Sequence, residues 1–301
     1  MALPQTSQES DQVSFSPLAW YHIQTKIPDT WEITHYSINE VEGRLDFCNR
    51  QWHQGRFSWK KGKVYKKPDL DRTLNEFYKR HLLEHHKDEA SSFKSMSTRQ
   101  IGPFLFAYDK DDRPCQAAYY LDEEMTILIW TFPSFSQSFL HDTITPILEK
   151  FQSNEVEPRK WSAFGLSFSL PREFDLEDAS ILPGDVCLNF EHTNRQQVNV
   201  HRWALPGELL RGQDLKKFYY RVLGGRKDKV MTMEDCSYQG MDSVTVTFER
   251  TGNHAMDKLY GRAWQGVGRV WYDREEQRIY AYEQAGPKKI SHLDEQKILS
   301  C

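Results

Sequence analysis

The sequence predicts an α+β fold made of two tandem similar modules, each an antiparallel sheet of about six strands packed with helices. Three observations predict it. Leu74, Phe77, Tyr78, Arg80 and Leu82 recur in type and order as Leu215, Phe218, Tyr219, Arg221 and Leu223, every pair 141 residues apart. A period that long is too large for a solenoid and suits a duplicated domain. The repeated segment is amphipathic at helical spacing, and the segments around it alternate as strands do.

The first strands are read at Trp31 to Ser37, Arg44 to Cys48 and Arg56 to Lys60, from alternation and from β-branched and aromatic content. Pro68-Asp69 then signals a helix start, with Asp69 or Asp71 able to accept from free backbone N–H groups. Leu74, Phe77, Tyr78, His81 and Leu82 form one apolar stripe, so this helix is expected to lie on the sheet. Strands follow at 104–109, 115–121 and 125–132. A closing helix runs from about Gln137 to Phe151, with Phe139, Ile144, Ile147, Leu148 and Phe151 facing inward and Pro146 kinking it or marking its true start.

The second copy matches in the same order. Ile27-Pro28 with Trp31 pairs with Leu170-Pro171 and Phe174. Gly43 to Phe47 pairs with Gly184 to Leu188, Arg56 to Trp59 with Val200 to Trp203, and Thr126 to Phe132 with Arg278 to Glu283. Residues 1–16 are expected to form a disordered tail, 17–153 the first module, 154–160 a linker and 161–301 the second module.

This order of elements resembles the PsbP-like fold family, which also includes a nuclear-import factor that binds a small GTPase. The residues that carry the resemblance are Ile27-Pro28 with Trp31, Leu170-Pro171 with Phe174, the mid-module amphipathic helix, Ile129-Trp130, and Ile144, Ile147 and Phe151. The resemblance implies a protein that binds partners or ions without a shared catalytic site. It transfers no site residue to this chain.

Composition bounds the rest. A formal net charge of -4 gives no overall attraction to nucleic acid or anionic membrane. Mean hydropathy is -0.72 although aromatics reach 13%; aromatics bury large areas, so few are needed to build two cores. No apolar run approaches the roughly 18 residues of a membrane span. Met1 to Asp11 lacks the basic and apolar regions of a signal peptide. Five scattered cysteines without a CxxC point to reduced thiols and a cytoplasmic setting, with Cys115 and Cys187 as small core residues.

Three segments are candidate sites. His81-Leu82-Leu83-Glu84-His85 fits the HxxEH pattern of inverted zinc peptidases. There His81 and His85 would bind metal one turn apart and Glu84 would serve as base. The structural alternative is a helix end with a solvated charged tail. The Lys-rich loop 60–67 (Lys60, Lys61, Lys63, Lys66 and Lys67, after Trp59) could grip phosphates or an acidic partner, or be a solvated hairpin. The insertion Thr251 to Gly268 carries Arg262 and Trp264, residue types that dominate binding hot spots. Gly266-Val267-Gly268 opens no helix and does not make a dinucleotide site.

The expectation is therefore a non-enzymatic binding or adaptor protein whose partner is another protein, with no cofactor and no membrane. The alternatives are a zinc-dependent hydrolase at 81–85 and a nucleic-acid-associated accessory protein using 60–67.

Overall fold

The computed structural model describes residues 13–62, 67–85, 87–91, 93–109, 112–226, 228–251 and 263–287. The chain divides into two compact units, Met1–Val156 and Glu157–Cys301.

In the first unit, β1 (Phe15–Trp20) and β2 (Ile23–Pro28) form an antiparallel hairpin. Then come β3 (Glu32–Tyr36), β4 (Glu42–Cys48) and β5 (His53–Lys61), helices α1 (Leu70–His85) and α2 (Lys87–Ala90), and strands β6 (Ser97–Ile101), β7 (Phe104–Tyr108), β8 (Cys115–Leu121) and β9 (Thr126–Phe132). These strands make one antiparallel sheet in the order β3-β4-β5-β9-β8-β7-β6. Asp69 accepts from the Arg72 N–H at 3.1 Å and caps α1. Leu74, Tyr78 and Leu82 bury one stripe of α1 against Ala107, Ala118 and Ile129. The opposite face of the sheet carries Phe47, Phe57, Trp130 and Phe132, with the Trp130 ring in contact with each of the other three. The unit closes with α3 (Gln137–Phe139), a π turn at Leu140–Ile144, α4 (Thr145–Glu149) and β10 (Gln152–Ser153), which pairs with β2.

The second unit repeats this plan. β11 (Arg159–Ala163) and β12 (Leu166–Leu170) form the hairpin. β13 (Phe174–Leu182), β14 (Asp185–His192) and β15 (Gln197–Ala204) precede α5 (Pro206–Leu210) and α6 (Leu215–Gly225). β16 (Lys229–Tyr238), β17 (Met241–Thr251), β18 (Ala263–Asp273) and β19 (Arg278–Gly286) follow. The sheet order is β13-β14-β15-β19-β18-β17-β16, the first unit's order strand for strand. Phe218, Tyr219 and Leu223 of α6 pack on Val244, Val246, Val270, Ile279 and Ala281.

The α+β expectation is corrected. Strands hold 53% of the chain and helices 19%, so each unit is a β-rich structure with one long helix rather than a helix-packed layer. Each main sheet has seven strands, not six, and a separate hairpin precedes it. The physical reasons are local. β6 reads Ser-Thr-Arg-Gln-Ile with four exposed residues, so it lacks the apolar alternation of a half-buried strand. The β1–β2 turn uses Tyr21 at positive φ with no Gly, Asn or Asp to mark it. Residues 15 and 16, placed by sequence in the tail, begin β1. Arg159 and Lys160, placed in the linker, begin β11. The single closing helix is interrupted, with Pro146 in the first turn of α4. Phe77, expected on the buried stripe, is 42% exposed, with the Arg80 guanidinium over its ring.

The register between copies also shifts. Lys61 donates to the Val41 carbonyl and pairs with Thr126, while Ala204 donates to the Gly184 carbonyl and pairs with Arg278. Bulges fall between Ile33 and His35 and between Leu176 and Asp178. These landmarks make Lys61 the counterpart of Ala204, and hence Trp59 the counterpart of Arg202 rather than Trp203. A one-residue slip in a strand changes its face. Trp59 packs on Tyr21 and His22 of the hairpin, whereas Trp203 packs on Phe218 of α6.

Candidate functional site

Lys60 and Lys61 lie at the end of β5, and Lys67 precedes α1. Lys60 Nζ is 2.9 Å from Glu42, Lys61 Nζ 3.4 Å from Glu124, and Lys67 Nζ 3.3 Å from Asp122. The three described lysines of this segment therefore answer carboxylates of their own unit. Lys63 and Lys66 lie outside the described residues, as does Arg262. Trp264 is 1% exposed in the core of the second unit. His81 is half-buried with its ring 6.4 Å from that of Tyr78. The side chain of His85 lies outside the described residues. Among the described residues, no three metal-ligating side chains converge.

Among the described residues, a buried group of paired ionisable side chains lies under the C-terminal end of α6. Glu283, on β19, points to the helix side of the sheet and is wholly buried. Its Oε1 accepts from the Tyr219 hydroxyl at 2.6 Å and from Arg226 Nη2 at 2.5 Å, and its Oε2 accepts from Arg250 Nη2 at 3.1 Å. Arg250 also binds buried Asp228 bidentately, with both contacts at 2.8 Å. Two buried carboxylates thus meet two guanidiniums, and each lone pair that matters has a donor. Gly268 makes the room: a Cβ there would lie 3.0 Å from the Glu283 Cγ and 3.1 Å from the Tyr219 hydroxyl. Gly266 gives way in the same manner to the Phe248 ring, at 2.3 Å. The glycines of this strand serve close approach of side chains.

His201 and Cys187 border the cluster. His201 Nε2 is 3.2 Å from Arg226 Nη1 and 3.7 Å from Cys187 Sγ, and its ring stacks on Trp203 at 5.0 Å. Burial, set against Glu283 and reinforced by Arg226 and Arg250, pulls the His201 pKa down to about 4. Burial and then Glu283 push the Cys187 thiol up to about 12. Despite its own burial, Glu283 is held well below the usual carboxylate range by Arg226, His201 and Arg250. At neutral pH the histidine is neutral, the thiol protonated and the glutamate ionised, so the thiol–imidazole pair contains no thiolate.

The sequence places Tyr219 on the repeated apolar stripe and Cys187 in the core; Tyr219 is buried, Cys187 is only half-buried, and neither pattern reveals the cluster. Its members are spread from residue 187 to residue 283 and meet only through the order β14-β15-β19-β18-β17. The one local signal is Glu283, an acidic residue within the buried run Ala281 to Ala285 of β19. The first unit keeps the tyrosine and changes its acceptor: Tyr78 donates to Asp109 at 3.1 Å.

Compared with known protein families and with curated proteins, the chain matches none. Among solved structures it is similar to a cyanobacterial PsbP (CyanoP) from Synechocystis sp. PCC 6803. The identity is 12% and the TM-score 0.33, over 44% of this chain and 82% of that one.

Proposed function

We propose that the chain is a non-enzymatic binding or adaptor protein, made of two copies of one β-rich unit, whose partner is another protein. One observation carries this reading. The buried cluster of ionisable groups in the second unit uses its charges on itself: Glu283 is bound by Tyr219, Arg226 and Arg250, and Arg250 by Asp228. The adjacent histidine and cysteine are both in their uncharged forms at neutral pH. A general base or nucleophile needs a pKa matched to the working pH, and neither group has one. Such a network holds a helix on a sheet. Function then falls to the surfaces on which the two units differ.

Affinity capture of the intact protein from its native cell, followed by titration of the purified partner, tests this. The expected result is a protein that rebinds in saturable, fixed stoichiometry. Turnover of a small molecule that is lost in His201→Ala would overturn it. So would stoichiometric zinc that is lost in His81→Ala.

A further inference from the structure

The first unit supplies its own reference for the second. In the first, the β8–β9 turn carries Asp122, Glu123 and Glu124, and Lys61 and Lys67 neutralise two of these. In the second, the β18–β19 turn carries Asp273, Glu275 and Glu276. The counterpart of Lys61 is Ala204, because each ends its strand opposite the first residue after the turn. The lysine that answers Glu124 is therefore missing where Glu276 stands. Arg274 pairs with Asp242 at 2.7 Å. Asp273 accepts from the N–H groups of its own turn, and Glu276 accepts from the Tyr280 hydroxyl. Among the described residues, neither Asp273 nor Glu276 has an ion-pair partner. Arg202 and Arg278 stand nearby; Arg202 feels the Glu276 charge but forms no ion pair with it.

The hairpin tips differ in step with the charges. In the first unit His22 and Trp59 fill the space between hairpin and sheet, their rings 6.2 Å apart. Their counterparts are Gly165 and Arg202, and a Cβ on Gly165 would lie 2.6 Å from Arg202 Nη1. The result is a cleft of about 170 Å³, walled by Phe168, Trp271 and Tyr280 and edged by Asp273 and Glu276. Trp271 and Tyr280 stack at 5.6 Å. A second groove, sharing Asp273, runs on past Asp242 and Glu275. Cofactors and drug-sized ligands occupy roughly 300–1,000 Å³, so the cleft suits a single long side chain. Aromatic walls with carboxylates at the mouth favour a cation.

We propose that this end of the second unit is a docking site for a lysine or arginine side chain of a partner protein, which enters between Phe168, Trp271 and Tyr280 and pairs with Glu276 and Asp273. The inference deepens the adaptor reading and rests on it for the nature of the partner. The chemistry of the cleft can be tested without knowing that partner.

Fluorescently labelled acetyl-tetralysine amide is titrated into the full chain and followed by anisotropy, with a tetraglutamate peptide in parallel. Saturable binding of tetralysine alone is expected. Glu276→Gln removes one carboxylate at an exposed position, and Ala204→Lys restores the first unit's internal counter-charge. Each should weaken binding about fivefold, the scale of one partly exposed ion pair. Glu123→Gln, in the first unit's turn, should leave binding unchanged. Equal affinity in wild type, Glu276→Gln and Ala204→Lys would overturn the proposal, as would equal binding of tetraglutamate or no saturable binding. Self-association abolished by Lys60→Ala with Lys61→Ala would seat a second copy in the cleft and overturn the partner-protein assignment. If tetralysine fails to bind while a captured protein still rebinds, the adaptor reading survives and this cleft does not. The reverse result separates them the other way.

Discussion

Glu283 shows how much one side chain can hold together. Removing one partner of a buried ion pair strands the remaining charges, typically at 3–5 kcal/mol. Glu283→Gln leaves Arg226 and Arg250 facing a neutral amide, so urea unfolding should show a loss of about 3–5 kcal/mol. Acid should act through His201 first. Its folded pKa of about 4 lies below the ordinary histidine value of 6.5. The unfolded chain therefore takes up a proton that the folded chain refuses, and this stability, present above about pH 6.5, drains away as pH falls toward 4. His201→Phe should flatten the stability profile across that window. Thiol labelling offers a third check. Cys236 is exposed, whereas Cys115 is buried and Cys187 half-buried, both with pKa values pushed upward by burial. Iodoacetamide near pH 8 should modify Cys236 in the folded protein and reach Cys115 and Cys187 only on unfolding.

At the scale of elements, the paired helices differ in what stabilises them. α1 spans Leu70–His85 and α6 only Leu215–Gly225. Short helices depend more on their ends and on packing than on propensity. Asp214 accepts from the Lys217 N–H at 2.7 Å and caps α6, and the charge network anchors its other end. Asp214→Ala should cost about 1 kcal/mol in urea denaturation. Helix positions and the Asp69 cap were legible because apolar spacing and capping chemistry are local. β6 and the β1–β2 hairpin were not legible, since an exposed edge strand and a turn at Tyr21 carry no such signal.

For the whole molecule, the repeated topology gives a test of register. If Trp59 corresponds to Arg202, the second unit should accept a tryptophan there, over Gly165. Arg202→Trp should change stability by no more than about 1 kcal/mol. Trp203→Arg would put a charge into the α6 core and should cost about 3 kcal/mol or more. The reverse ranking in urea titrations would restore the register read from sequence. The repeat also changes the meaning of the Lys-rich segment. By sequence it is a candidate docking loop, yet Lys61 and Lys67 neutralise their own unit's turn. The unusual surface is then in the copy that lacks the lysine.

The sequence by itself determined that one unit is written twice, where its amphipathic helix lies, and which strands flank it in order. These features follow from local periodicity and from comparing the chain with itself. Tertiary structure alone decided the β-rich class, the strand register, the burial of Trp264 and the gathering of Tyr219, Arg226, Asp228, Arg250 and Glu283 at one point. Strand pairing joins residues far apart in the chain, and a shift of one residue exchanges the two faces of a sheet, so no local pattern could have fixed them.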